Sequence, residues 1–237
     1  MIRVLLVDDH ALVRTGIRRV LEDEPDIVVV GEASTGEEAL ALLDETRPQV
    51  VVMDVSMPGM GGLEATHRLL RRDPDLRVVV VTVHGAGPFP RRFMESGALG
   101  YLHKGCSAEE CRRGVRLAAH GQVYISQEVA QNLAFARGGP ADAFTDLSEQ
   151  EFEVMLRTAR GYSTGETARA LFLSPKTVAT YRSRIFRKLG VRGVVDLAHL
   201  AVSHAMIDPD QARGGLQLRD TGLSRPQRRR ATRRRTG

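Results

Sequence analysis

The chain has little with which to staple itself, anchor itself or cross a membrane. Its two cysteines, Cys106 and Cys111, have neither metal-ligand nor redox spacing, which excludes a disulfide-built scaffold and predicts reduced thiols. No apolar run approaches the roughly 20 residues of a membrane span, and Met1-Ile-Arg-Val4 leads straight into an expected strand, so neither a membrane segment nor a signal peptide is expected. Positive charge is also scarce over most of the length, although the formal net charge is +5. Residues 212–237 hold nine arginines and one aspartate, a net +8, which leaves −3 for residues 1–211. The basicity belongs to the tail, which lacks apolar periodicity and helix caps and is expected to be disordered.

What the chain does have is a run of short Val/Ile/Leu segments alternating with helix-period segments over its first half. Strands are expected near 2–7, 27–31, 49–53, 77–82 and 100–103, with helices at 10–22, 36–45, 61–72, 88–97 and 107–120. That alternation predicts an α/β domain with a parallel sheet and crossover helices. In such sheets the chemistry gathers at the carboxyl ends of the strands. Asp8 and Asp9 end the first strand, Asp54 the third, Thr82 the fourth, and Lys104 follows the fifth. These residues predict one acidic pocket with a hydroxyl and an ammonium on its rim. Carboxylates about 5 Å apart repel by roughly 3 kcal/mol per pair at an effective dielectric of about 20. Such a site must raise a pKa or bind a cation, and hard oxygen ligands select Mg²⁺.

At 237 residues there is room for a second domain. Helix-like residues 127–136 run into Arg137-Gly-Gly-Pro-Ala-Asp142, expected to be an exposed, mobile linker. Beyond it come helical signals and no strand. Ser148-Glu-Gln-Glu151 and Ser163-Thr-Gly-Glu166 are capping boxes, opening helices over 148–160 and from 163 to about 171. Ser174-Pro175 sets an N-cap before a proline at the first helical position, Gly190 ends that helix, and a last one spans about 194–206. A short helix, a tight turn and a longer helix predict a helix-turn-helix. At 100° per residue, Val178, Tyr181, Ile185 and Leu189 share the inward face of the longer helix. Lys176, Thr180, Ser183, Arg184 and Arg187 lie opposite with Ala179 at the edge, a face suited to base edges and phosphates.

The motifs Val4-Leu-Leu-Val-Asp-Asp-His10, Met53-Asp-Val-Ser-Met-Pro58, Thr82-Val-His84, Leu147-Ser-Glu-Gln-Glu151 and Ser174-Pro-Lys-Thr-Val178 together resemble response regulators of the NarL/FixJ class. The likeness is greatest to the GacA/UvrY subgroup. It implies a five-stranded, doubly wound parallel receiver of strand order 2-1-3-4-5 at 1–122, a linker at 123–146, and a four-helix LuxR-type DNA-binding domain at 147–207. The basic tail at 208–237 lies outside it.

By the same resemblance Asp54 is the phosphoacceptor, served by a sensor histidine kinase or its phosphotransfer domain. Asp8, Asp9, Asp54 and the backbone carbonyl of Ser56 would hold Mg²⁺, Lys104 and Thr82 would bind the phosphoryl group, and Thr82 and Tyr101 would form the switch. Ser56 and His84 would flank the water that removes the phosphoryl group. Lys176, Thr177, Ala179, Thr180, Arg182, Ser183, Arg184 and Arg187 would meet double-stranded DNA.

The implied protein is a cytoplasmic transcription regulator, not an enzyme. It would release its DNA helices and form homodimers when phosphorylated or on DNA, with Leu197, Leu200 and Ala201 as the dimer stripe. Subgroup resemblance adds activation of small regulatory RNA genes. Two alternatives stand beside it: a docking protein with a vestigial receiver, and an aspartate-nucleophile hydrolase, for which Ser56 stands where a second aspartate is needed. Two departures are visible. Gly105 follows Lys104 where most receivers have proline, and Thr167 stands where the short helix ordinarily has an apolar residue, which should loosen its packing.

Overall fold

The computed structural model describes residues 1–83, 88–127, 129–131, 144, 146–204 and 206–207. His84, the expected linker at 137–142 and the basic tail lie outside the described residues, as does most of the expected helix at 127–136.

The first domain alternates β1 (Ile2–Val7), α1 (Ala11–Glu22), β2 (Ile27–Ala33), α2 (Gly36–Thr46), β3 (Val50–Met53), α3 (Gly62–Arg72), β4 (Arg77–Thr82), α4 (Phe89–Glu95), β5 (Gly100–His103), α5 (Ala108–Ala119) and β6 (Tyr124–Ile125). All strand pairs are parallel and the order is β2-β1-β3-β4-β5-β6. The first five strands stand in the expected order. The short β6 was not expected, because Tyr124–Ile125 is too brief to show a period, and its pairing comes from the open edge of β5. Helix α4 is shorter than expected, with Pro88 and Pro90 at its start.

Strand side chains alternate between two buried faces. Val4, Leu6, Val52 and Val81 pack with Leu21 of α1 and Val115 of α5. Leu5, Val7, Met53 and Val80 pack beneath α2, α3 and α4, and this second core continues without a break into the second domain through Phe89 and Phe152.

Among the described residues the second domain has four helices: α6 (Glu149–Ala159), α7 (Thr164–Leu171), α8 (Pro175–Leu189) and α9 (Val194–Ser203). Both expected capping boxes form, with Ser148 and Ser163 accepting from Glu151 and Glu166 while those glutamates reach back to the cap backbone. Ser174 caps α8, and Gly190 at φ 67° ends it in the left-handed conformation that glycine adopts without strain. Val178 and Ile185 are fully buried, and Tyr181 and Leu189 pack partly buried beside them, as the helical period requires. Thr167 is buried and, among the described residues, its hydroxyl has no hydrogen-bond partner. The loss expected there is therefore the cost of a desolvated polar group.

Candidate functional site

The sheet edge gathers the expected residues. Lys104 Nζ lies 2.7 Å from Asp8 Oδ2 and 3.0 Å from Asp54 Oδ2. His10, which sequence reasoning did not single out, places Nδ1 2.8 Å from Asp9 Oδ1 and donates its backbone N–H to Asp8 Oδ1 at 2.8 Å. Asp8, Asp54, Ser56 and Thr82 are buried, and the Lys104 backbone N–H donates to the Thr82 carbonyl at 2.7 Å. The crowding resolves as electrostatics requires. Burial pushes the Asp54 carboxyl up to about 6, Lys104 pulls against that shift, and Asp8 and Asp9 add to it. Burial alone would lower the Lys104 pKa, but Asp54 and Asp8 outweigh it and hold the ammonium above its ordinary value.

Oxygen atoms of Asp8, Asp9 and Asp54 and a nitrogen of His10 lie within 4.8 Å of one another. Asp9 Oδ1 and Asp54 Oδ2 are buried, and among the described residues neither has a hydrogen bond of normal geometry. Hard oxygen donors at this spacing, with unspent lone pairs, fit a divalent cation of the Mg²⁺ type.

The loop from Asp54 to α3 is fixed by close approach. A Cβ on Gly62 would lie 2.0 Å from the Asp54 carbonyl oxygen, so only glycine lets the helix start there. Gly59 turns the loop at φ +70° over the Glu37 carboxylate, which accepts from the Met60 N–H. Tyr101 is fully buried with its ring against Phe93, 6.0 Å between centroids. It is an inward-facing strand residue.

On the second domain Lys176, Ala179, Thr180, Ser183, Arg184 and Arg187 are exposed together on α8. Two others assigned to the DNA face are engaged locally. Thr177 is half-buried in the cap with its hydroxyl 2.7 Å from Ser174, and Arg182 donates to Thr164 at 2.9 Å, so Arg182 ties α8 to α7. The expected dimer stripe on α9 needs correction. Leu197 and Ala201 are fully buried in their own domain, and only Leu200 is partly accessible. The period that marked these residues as apolar is the period of the domain's own core.

The contact between the domains was not read from the sequence. Arg92 of α4 donates to the Phe144 and Leu147 carbonyls at 2.7 Å each and lies 4.0 Å over the Phe152 ring. Phe89 meets Phe152 edge-on at 5.5 Å, and His67 pairs with Glu149. Glu153 is buried at the start of α3 with its carboxylate beside Gly61 and the Glu64 backbone, where the helix has no side-chain cap of its own. Arg157 donates to the Gly59 carbonyl, and Arg160 reaches Ser56 Oγ at 3.5 Å. Release of α8 was expected to accompany activation, yet its outer face already points to solvent while the domains are packed.

Residues 4–116 match the family described as the response regulator receiver domain, and residues 145–201 match bacterial regulatory proteins of the luxR family. A receiver joined to such an output domain is a phosphorylation-controlled, DNA-binding transcriptional regulator, and not an enzyme.

More narrowly, the chain belongs to the response regulator family that includes GacA and UvrY. It is 51% identical to response regulator GacA of Pseudomonas aeruginosa over 88% of this chain and 99% of that one. It is 46% identical to response regulator UvrY of Escherichia coli over 89% and 98%. Among solved structures, RcsB of Salmonella enterica serovar Typhimurium, bound to promoter P1flhDC with the phosphomimetic BeF₃⁻, aligns at TM-score 0.71 and 25% identity over 85% of this chain and 98% of that one. An RcsB–DNA complex of the same identity and coverage aligns at 0.56.

Proposed function

We propose that Asp54 is the phosphoacceptor through which a sensor histidine kinase, or its phosphotransfer domain, controls DNA binding by α8. The observation that carries this reading is the convergence of Asp8, Asp54 and Lys104 within 3.0 Å contacts at the carboxyl edge of the sheet. An Asp54 carboxylate oxygen attacks the phosphorus of a phosphohistidine, the phosphorus–nitrogen bond breaks, and the imidazole leaves with its electron pair. Asp8, Asp9, Asp54 and the Ser56 carbonyl would hold Mg²⁺, which supplies charge neutralisation for the incoming phosphoryl group. Lys104 is placed to pair with the transferred oxygens and Thr82 to hydrogen-bond them, with Tyr101 following Thr82 as the switch aromatic.

The output face is Lys176, Ala179, Thr180, Ser183, Arg184 and Arg187, with Thr177 and Arg182 setting its edge. The likeness to promoter-bound RcsB carrying BeF₃⁻ supports the packed arrangement as one able to bind DNA, as a homodimer. Small regulatory RNA genes in the cytoplasm are the proposed targets, by likeness to GacA and UvrY. Mg²⁺-dependent labelling by acetyl phosphate tests the assignment. The wild type should label and Asp54→Ala should not, while its circular dichroism stays that of the folded chain; equal labelling of the two would refute it.

A further inference from the structure

Helix α6 and its C-cap residue place Glu153, Arg157 and Arg160 at spacings of four and three, so all three lie along one stripe. Each grips the segment that follows Asp54: Ser56 Oγ by Arg160, the Gly59 carbonyl by Arg157, and the start of α3 by Glu153. All three keep one buried atom without a hydrogen-bond partner among the described residues, Glu153 Oε1, Arg157 Nε and Arg160 Nε, but only Arg160 stands beside the Ser56 hydroxyl, two residues from Asp54. Arg160 makes one long hydrogen bond of 3.5 Å and, among the described residues, has no carboxylate within ion-pair distance; its Nε is buried without a partner. A guanidinium carries five donors in a fixed fork that suits phosphate oxygens. Here the fork stands beside the hydroxyl two residues from Asp54, with most of its donors unspent.

We propose that Arg160 is a ligand of the phosphoryl group on Asp54, so that the DNA-binding domain reads the modification directly across the domain boundary. The inference rests on Asp54 being the phosphoacceptor. Formal charge supports the assignment. Asp8, Asp9 and Asp54 against Lys104 leave an excess of two negative charges, which hold Arg160 in place. A divalent cation alone cancels that excess and loosens the hold. A phosphoryl group then brings about −1.5 to −2 charges and three acceptor oxygens in place of the one carboxylate charge. Negative charge returns where the fork points. Packing of the two domains therefore weakens with Mg²⁺ alone and tightens on phosphorylation, and the outer face of α8 stays open in the tightened form.

The test uses the full chain in Mg²⁺, with beryllium fluoride as the phosphoryl stand-in. Its affinity is read by ¹⁹F NMR and domain packing by small-angle X-ray scattering. Wild type should expand with Mg²⁺ alone and compact again with beryllium fluoride. Arg160→Gln should bind beryllium fluoride roughly tenfold more weakly and stay expanded. Arg160→Lys, which keeps the charge and loses the fork, should recover part of the affinity, and Arg169→Gln at an exposed site should match wild type. Wild type that fails to bind beryllium fluoride would refute the phosphoacceptor itself. Wild type that binds while Arg160→Gln binds equally or more tightly would overturn the role of Arg160 alone, the tighter case marking it as a competitor of the metal.

Discussion

In the acidic pocket a lysine sits within 3.0 Å of two buried aspartates, whereas Lys176, Arg184 and Arg187 on α8 have no ion-pair partner among the described residues. The pocket is a charge problem that the chain answers in part for itself, with burial and Lys104 setting the proton affinity of Asp54. The recognition face is a charge problem left to be solved by a polyanion. Salt should therefore affect the two regions differently. Exposed cations facing phosphates lose affinity steeply with added salt, while a buried, paired site barely responds.

The largest break in this contrast should come from the output face. Arg187→Ala should weaken binding to operator and random DNA alike and reduce the salt slope by about one phosphate contact. Thr180 should fail differently, changing which base is preferred by roughly 1 to 3 kcal/mol. Fluorescence anisotropy against both DNAs over a salt series separates them, and identical losses would show that α8 is misoriented.

A smaller effect is expected at the contact between the regions. Burial and Glu64 push the Glu153 carboxyl up to about 7, while Arg160 and Arg157 pull it down. Once α6 leaves α3 that carboxyl returns toward its ordinary 4.5. The packed form thus binds more protons between those values, so packing is strongest below them and weakens as pH rises through about 7. Small-angle scattering of the metal-free chain from pH 5 to about 8 should show expansion with rising pH. Glu153→Gln should flatten the profile, and an unchanged profile would remove Glu153 as its cause.

Smaller still is Thr167→Val, which replaces a buried hydroxyl lacking a partner by a methyl group and should stabilise the second domain by about 1 kcal/mol. Thermal unfolding checks it. A lower midpoint would show that the hydroxyl is satisfied.

The two regions were also unequally legible. Strand-end carboxylates could be placed from the sequence because a parallel sheet sends consecutive strand ends to one edge, whichever helices cover it. The α8 face followed from helical period and caps. The interface did not, because Glu153, Arg157 and Arg160 carry the charges and spacing of an ordinary solvated helix face. Only the position of α3 against them makes those charges buried. Leu197 and Ala201 were misplaced for the related reason that an apolar stripe does not say whether its partner is the same domain or another copy. Tyr124–Ile125 shows no pattern at all, since its pairing is a property of the β5 edge.

Genome-wide binding by the wild type and by Asp54→Ala, at matched protein levels, tests most directly whether the buried pocket governs the exposed face. Both should recognise the same sequence, because α8 is intact in each. Occupancy by the variant should fall by about fivefold or more, the range of an allosteric coupling of 1 to 3 kcal/mol. Equal occupancy at the same sites would contradict control through Asp54.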